Sequence, residues 1–282
     1  MSEAKRSELP AGRWGADISL GFGVQQKRTV LSSRQHSGPL RVQKPFYPEG
    51  DVCHVYLLHP PGGMTGHDDL NISIDVPTDA SALVTTPASN KAYRSAGPKT
   101  WVRQSFHAGG TLEWLPQSTI LFGGSRLRQR TDIHLSPSSR LMAWDLIGLG
   151  RPASDDHYDD HHKEGEFEQV QSVFVQGRPL FRDRQRFFSG ARILDAAWGY
   201  GGAKALGVFL IFPADEDLLE RVRHFIGQLE SDLTATMVDK LLVIRGMSQD
   251  LTQLQEEFAR VWACLRPMVL GRPASVPRIW AT

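Results

Sequence analysis

Residues 112–122 read LEWLPQSTILF, two apolar runs separated by a Pro-Gln step. Proline has no N–H to give a ladder and fixes its own φ, so one strand must stop at Leu115 and another begin after the break, over 118–122. Glu113 lies in the first run beside Trp114, and a carboxylate among apolar neighbours must be paired, hydrated or used. An arginine such as Arg103 or Arg126 is a fitting partner, and a polar route for a cation is the functional alternative.

The same punctuation recurs outward from this stretch. Short strand candidates at 53–59, 70–76, 101–106, 126–135, 141–147, 170–175 and 205–212 are separated by Gly, Pro, Asn and Asp punctuation. Ile72, Ile74 and Val76 alternate with polar residues, as on a half-buried strand. Helical spacing enters only late. Leu218, Leu219, Val222, Phe225, Ile226 and Leu229 fall on one stripe behind Asp215, a good cap. A second stripe begins near Ser248 and carries Leu251, Leu254, Phe258, Val261, Trp262 and Leu265, with Pro267 expected to stop it. Residues 237–244 between them read as one strand. No fixed-period repeat is visible, and no Pro/Gly/Ser linker divides the chain, so one domain over 14–282 is expected behind a disordered 1–13.

Composition narrows the function. The chain has 282 residues, 40% of them hydrophobic, and a net charge of +1, which gives no electrostatic footprint for nucleic acid. Cys53 and Cys264 are the only cysteines, too few for a disulfide framework and suited to a reducing compartment. The N-terminus lacks a signal-peptide core, and no run is long enough to span a bilayer, so a cytoplasmic protein is expected. There is no Gly-x-Ser-x-Gly elbow, no Cys-x-x-Cys and no His-Glu-x-x-His, so no nucleophile or metal helix is assembled for catalysis.

Two stretches suggest a ligand. Residues 60–69, PPGGMTGHDD, form a glycine-rich loop without the Lys-Ser/Thr ending of a phosphate cradle. The plainer reading is a turn in which Gly62, Gly63 and Gly66 supply positive φ. Asp68 is the best functional candidate there, with His67 beside it. Residues 155–168, DDHYDDHHKEGEFE, gather His157, His161 and His162 with four aspartates. Imidazole and carboxylate together suit Ni²⁺ or Zn²⁺, and in a helix His157 and His161 would share a face. The plainer reading is a solvated loop kept extended by like charges.

As strings, LEWLPQ with TILF, PLRVQKPFYPEG (39–50), CHVYLLHPPGG (53–63), LGRPAS (149–154) and the terminal PRIWAT (277–282) resemble, in order, the urease accessory protein UreD family. The resemblance covers the chain from about Trp14 onward. It implies a mainly β fold, a β-helix-like stack of short strands with two C-terminal α-helices. It implies a non-enzymatic scaffold that binds apo-urease and the companion UreF, with the GTPase UreG docking through UreF. Nickel would then be a transient passenger rather than a tightly bound cofactor. Asp68 and Glu113 are the candidates for its route. Relatives usually carry glycine where His67 stands, so a residue at positive φ is implied there at a strain cost. The family pattern does not extend to the histidines of the 155–162 run. Arg278 and Trp280 in PRIWAT are interface candidates, since Trp and Arg anchor interfaces; a tail tucked on the core by Trp280 is the alternative. The rivals from other classes are a metal-dependent hydrolase using His67, Asp68 and the 155–162 run, and a nickel store using that run alone.

Overall fold

The computed structural model describes residues 14–160 and 162–281; the segment expected to be disordered, 1–13, lies outside them. The chain is mainly β and winds as a three-faced helix of strands. Sheet one stacks five parallel strands, Gly15–Gln25, Asp69–Val76, Thr100–Ala108, Arg126–Leu135 and Glu166–Val175. Sheet two stacks Cys53–Leu58, Ser81–Thr85, Thr111–Leu115 and Arg140–Arg151, also in parallel. A narrow third face pairs Asn90–Ala92 with Thr119–Leu121 and Thr119–Leu121 with the end of the Arg140–Arg151 strand. The sequence 112–122 is therefore one corner of the coil. Its first run lies in sheet two and its second in the third face, with Pro116 turning between them.

A coil length does exist. Cys53, Ala82, Leu112 and Leu141 stand side by side in sheet two, spaced 29, 30 and 29 residues. In sheet one the in-register Ile18, Ile72, Gln104, Thr131 and Gln171 are spaced unevenly, by 54, 32, 27 and 40. Corner insertions of different lengths thus hide the period from the sequence.

Each end of sheet one turns antiparallel. Arg28–Ser37 returns along Gly15–Gln25, and Arg178–Phe188 returns along Glu166–Val175. Sheet two continues into the antiparallel strands Ala205–Phe212, Leu241–Ser248 and Asp232–Val238. The single strand expected over 237–244 is instead a hairpin, because Asp239 takes φ 51 and the chain reverses between Val238 and Leu241.

Sheet two has cores on both sides. Its inward residues (Val55, Val84, Leu112, Leu141, Val208, Val243) join sheet one in the axial core. Its outward residues (Leu83, Leu115, Met142, Phe209, Leu242) pack beneath the helices α1, Glu216–Ile226, and α2, Leu251–Leu270. Asp215 caps α1, its carboxylate accepting from the Leu218 N–H at 2.9 Å. The expected stripe overran by one turn, since α1 ends at Ile226 and leaves Leu229 outside. Pro267 does not stop α2. It lies in the last turn, where it gives up a single helical bond, the one to the Ala263 carbonyl, and the helix closes at Gly271, whose φ of 70 lets its N–H reach the Pro267 carbonyl.

Candidate functional site

Strand alternation decides which polar residues face the axis. In Arg140–Arg151, Leu141, Ala143 and Ile147 point into the axial core, so Asp145 does too. Opposite it, the ladders of sheet one change character along the stack. Leu70 and Val102 give way to Gln129 and Gln169, and Ile72 to Gln104, Thr131 and Gln171. The result is an amide-lined chamber in a coil that is otherwise filled with hydrocarbon.

The Asp145 side chain is buried and accepts two hydrogen bonds, from Gln129 Nε2 at 3.0 Å and Gln171 Nε2 at 2.6 Å. Thr131 Oγ1 donates to Gln104 Oε1 at 2.8 Å. Gln169 Nε2 and Gln171 Oε1 are buried without a partner. Burial raises the Asp145 carboxyl to about 6, and the two amides only partly counter this. A carboxylate there has dipoles around it and, among the described residues, no cation as a hydrogen-bond or ion-pair partner. It shares a cavity of about 120 Å³ with Gln104, Gln129, Met64, Asn90 and His59. Around His59 an imidazole, the buried Met64 thioether and the Asn90 amide come together, the Asn90 Nδ2 donating to the sulfur at 3.4 Å. Burial depresses the His59 pKa, and the charge of Asp68 works against that.

Asp68 therefore stands near His59. Its Oδ2 accepts from the Thr65 N–H at 2.7 Å and closes the turn. His67 is exposed at φ 77, so it does occupy the left-handed region. The glycines divide the work differently from expectation. Only Gly62 has positive φ. Gly63 and Gly66 are needed for space, since a Cβ would fall 2.4 Å from the Tyr93 ring and 2.9 Å from the Pro98 carbonyl oxygen.

Glu113 points the other way, out of the coil and under α2. It is buried and bound by Arg266, with Nη2 to Oε1 at 2.8 Å and Nε to Oε2 at 2.9 Å, and by Trp262 Nε1 at 2.7 Å. Arg266 also forks onto Glu49, at 2.7 and 2.8 Å, and Glu49 contacts His54 Nε2 at 2.7 Å. Burial alone would lower the Arg266 pKa, but the two carboxylates hold it above its ordinary value. The partner of Glu113 is thus Arg266, not Arg103 or Arg126; those bind Asp69 and Glu164. Glu113 is not among the residues lining the axial cavity.

Residues 155–160 are not helical, so His157 stands on no helical face. Pro152–Ser154 forms one 3₁₀ turn and Asp156–His157 pairs back onto Gly150 and Arg151. Nor is the run held open by like charge. Asp156 accepts from the Gly123 N–H, Arg151 and Lys163, and Asp159 from Lys204 Nζ at 2.5 Å. Burial would raise both carboxyls, but these partners hold them below the usual range. His157 Nε2 is 3.3 Å from Asp155 Oδ1, the His162 N–H donates to Asp160, and His161 lies outside the described residues. At the C-terminus Trp280 is tucked in, donating to Thr85 Oγ1 at 2.8 Å and packing on Trp144 and Trp262, while Arg278 is exposed.

The fold is a β-helix with helices on one flank and a polar chamber on its axis. The family model described as "UreD urease accessory protein" matches residues 15–281. Urease accessory protein UreD of Citrobacter koseri is 42% identical over 95% of this chain and 92% of its own length. Those of Pseudomonas putida W619 (42%, over 99% and 98%) and Klebsiella aerogenes (40%, over 95% and 97%) match similarly. The chain belongs to the UreD urease accessory protein family. Among the described residues no helix is long and apolar enough to cross a membrane.

Proposed function

We propose that this chain acts in urease maturation as a non-enzymatic scaffold in the cytoplasm. It binds apo-urease and UreF, receives UreG through UreF, and lets nickel pass to the urease active site without holding it tightly. The observation that carries the reading is Asp145, a buried carboxylate bonded to two glutamine amides, on the axis of the coil. A buried charge of this kind is costly unless a cation or proton neutralises it. With its pKa near 6 it exchanges the two readily, and oxygen donors plus water bind a borderline ion weakly enough to release it. His59 and Met64 line the same cavity, Asp68 acts on His59 through its charge, and together they extend the route. Glu113, tied to Arg266 and Trp262, contributes by holding α2 on the coil. Arg278 remains available to a partner; the 155–162 histidines are a secondary place for an ion.

The test is urease activity in nickel-supplemented cells lacking this gene and carrying either the wild-type chain or Asp145→Ala. The reading expects the wild type to restore nickel-loaded urease, and the variant to co-purify with UreF and urease yet leave the urease poor in nickel. Full nickel loading by the variant would refute the axial route. Unchanged activity on deletion would refute the role in maturation.

A further inference from the structure

The outer face of sheet one carries a ladder that the axial route does not use. Asp75, His107, His134 and Phe174 stand in one row across four neighbouring parallel strands. The His107 and His134 rings are stacked, with centroids 4.7 Å apart and planes 7° apart. Phe174 continues the stack at 4.8 Å and 8°, walling off the far side of His134. His107 and Asp75 are exposed and His134 is half-buried. Asp132, two residues before His134 on the same face, has one oxygen held by Arg130 Nε at 2.6 Å and the other buried without a partner.

Two like rings stacked face to face gain little when both are neutral and repel when both are protonated. They also present two lone pairs side by side at a surface that water and ions reach. One cation with metal–nitrogen bonds of about 2 Å needs its two nitrogens about 3 Å apart. Rings held at the strand spacing reach that by tilting their outer ends together, with no backbone movement. We propose that His107 and His134 form a two-imidazole binding site for a borderline divalent cation (Ni²⁺, Cu²⁺ or Zn²⁺), with Asp75 and Asp132 supplying negative charge beside it. Imidazole is the ligand such ions share. Among the described residues no three His, Cys, Asp or Glu side chains are already grouped for an ion, so water completes the shell and the site exchanges quickly. It lies on the opposite side of the sheet-one strands from the axial chamber, so the two are separable.

The experiment uses Cu²⁺ as a spectroscopic probe and Ni²⁺ in calorimetry on the full-length chain. The variants are His107→Ala, His134→Ala, the triple His157→Ala/His161→Ala/His162→Ala, and Asp145→Asn. The expected first equivalent of Cu²⁺ shows two imidazole nitrogens in its electron spin-echo spectrum. That pattern falls to one nitrogen in either single variant, and affinity drops by about a hundredfold, because the second donor no longer adds its intramolecular advantage. It persists in the triple variant and in Asp145→Asn. His107 is exposed, so its removal leaves the fold intact, which circular dichroism checks. A two-nitrogen signal retained in both single variants, or lost in the triple variant, overturns the assignment.

Discussion

Asp145→Asn separates the chamber's electrostatics from its shape. Asparagine keeps the volume and can still accept from one of the two glutamine amides, but it never ionises. In the wild type the carboxyl titrates at about 6 when folded, against 3.8 as its reference value. The folded state therefore binds the proton more tightly than the unfolded chain. The stability this leaves in hand is present in acid and is lost as pH rises from below 4 through 6. Between about pH 5 and about pH 8 the wild type should lose about 1.4 kcal/mol relative to Asp145→Asn, and about 2.4 kcal/mol if the range starts at about pH 4. The comparison across pH cancels any constant offset from the altered hydrogen bonds. Urea unfolding of both proteins at three pH values measures it directly. A difference that stays flat with pH, or a wild type that gains on the variant as pH rises, would mean that the carboxylate is already paid for by a cation, and the reasoning from an unpaired charge would fail.

Other consequences follow from neighbouring features. Arg266→Ala strands Glu113 and Glu49 as buried charges and should cost about 3–5 kcal/mol in urea unfolding, and Arg266→Lys should recover only part of it because one ammonium cannot fork onto two carboxylates. His67→Gly removes a non-glycine residue from φ 77 and should leave stability unchanged or raise it by up to about 1 kcal/mol, read as a small rise in Tm. Trp280→Ala strips the tail from Trp144 and Trp262 and should lower stability by about 2 kcal/mol, less than a fully buried tryptophan would.

Local chemistry was readable from the sequence where it sets strand limits. The strands Arg126–Leu135 and Ala205–Phe212 begin and end where the sequence pattern places them. Asp215 announces its helix for the same reason. What the sequence withholds is long-range geometry. Glu113 advertised a need for a partner, yet Arg266 lies 153 residues on, brought there by α2 folding back over sheet two. Asp145 carries the same signal as Glu113, a lone carboxylate within the apolar run LMAWDLIG. Alternation alone would have put Leu141, Ala143, Asp145 and Ile147 on one face. Which face was the inside needed the coil, and the uneven spacing in sheet one concealed the coil. In the 155–162 run composition misled about local form, because Lys163, Arg151 and Lys204 come from outside the acidic block and neutralise it.

The antiparallel returns at the two ends of sheet one bear on where the coil stops. Parallel coils have no natural end: the last strand offers the same row of N–H and C=O groups as every strand before it, and a second molecule could add there as the next coil. Here each terminal coil is covered by a strand running the wrong way to be continued. One cover carries Pro179 and the exposed Arg182, Arg184 and Arg186, the other a run of Ser and charged groups in Arg28–Ser37. Trimming either cover would turn a finite coil into the seed of a fibre.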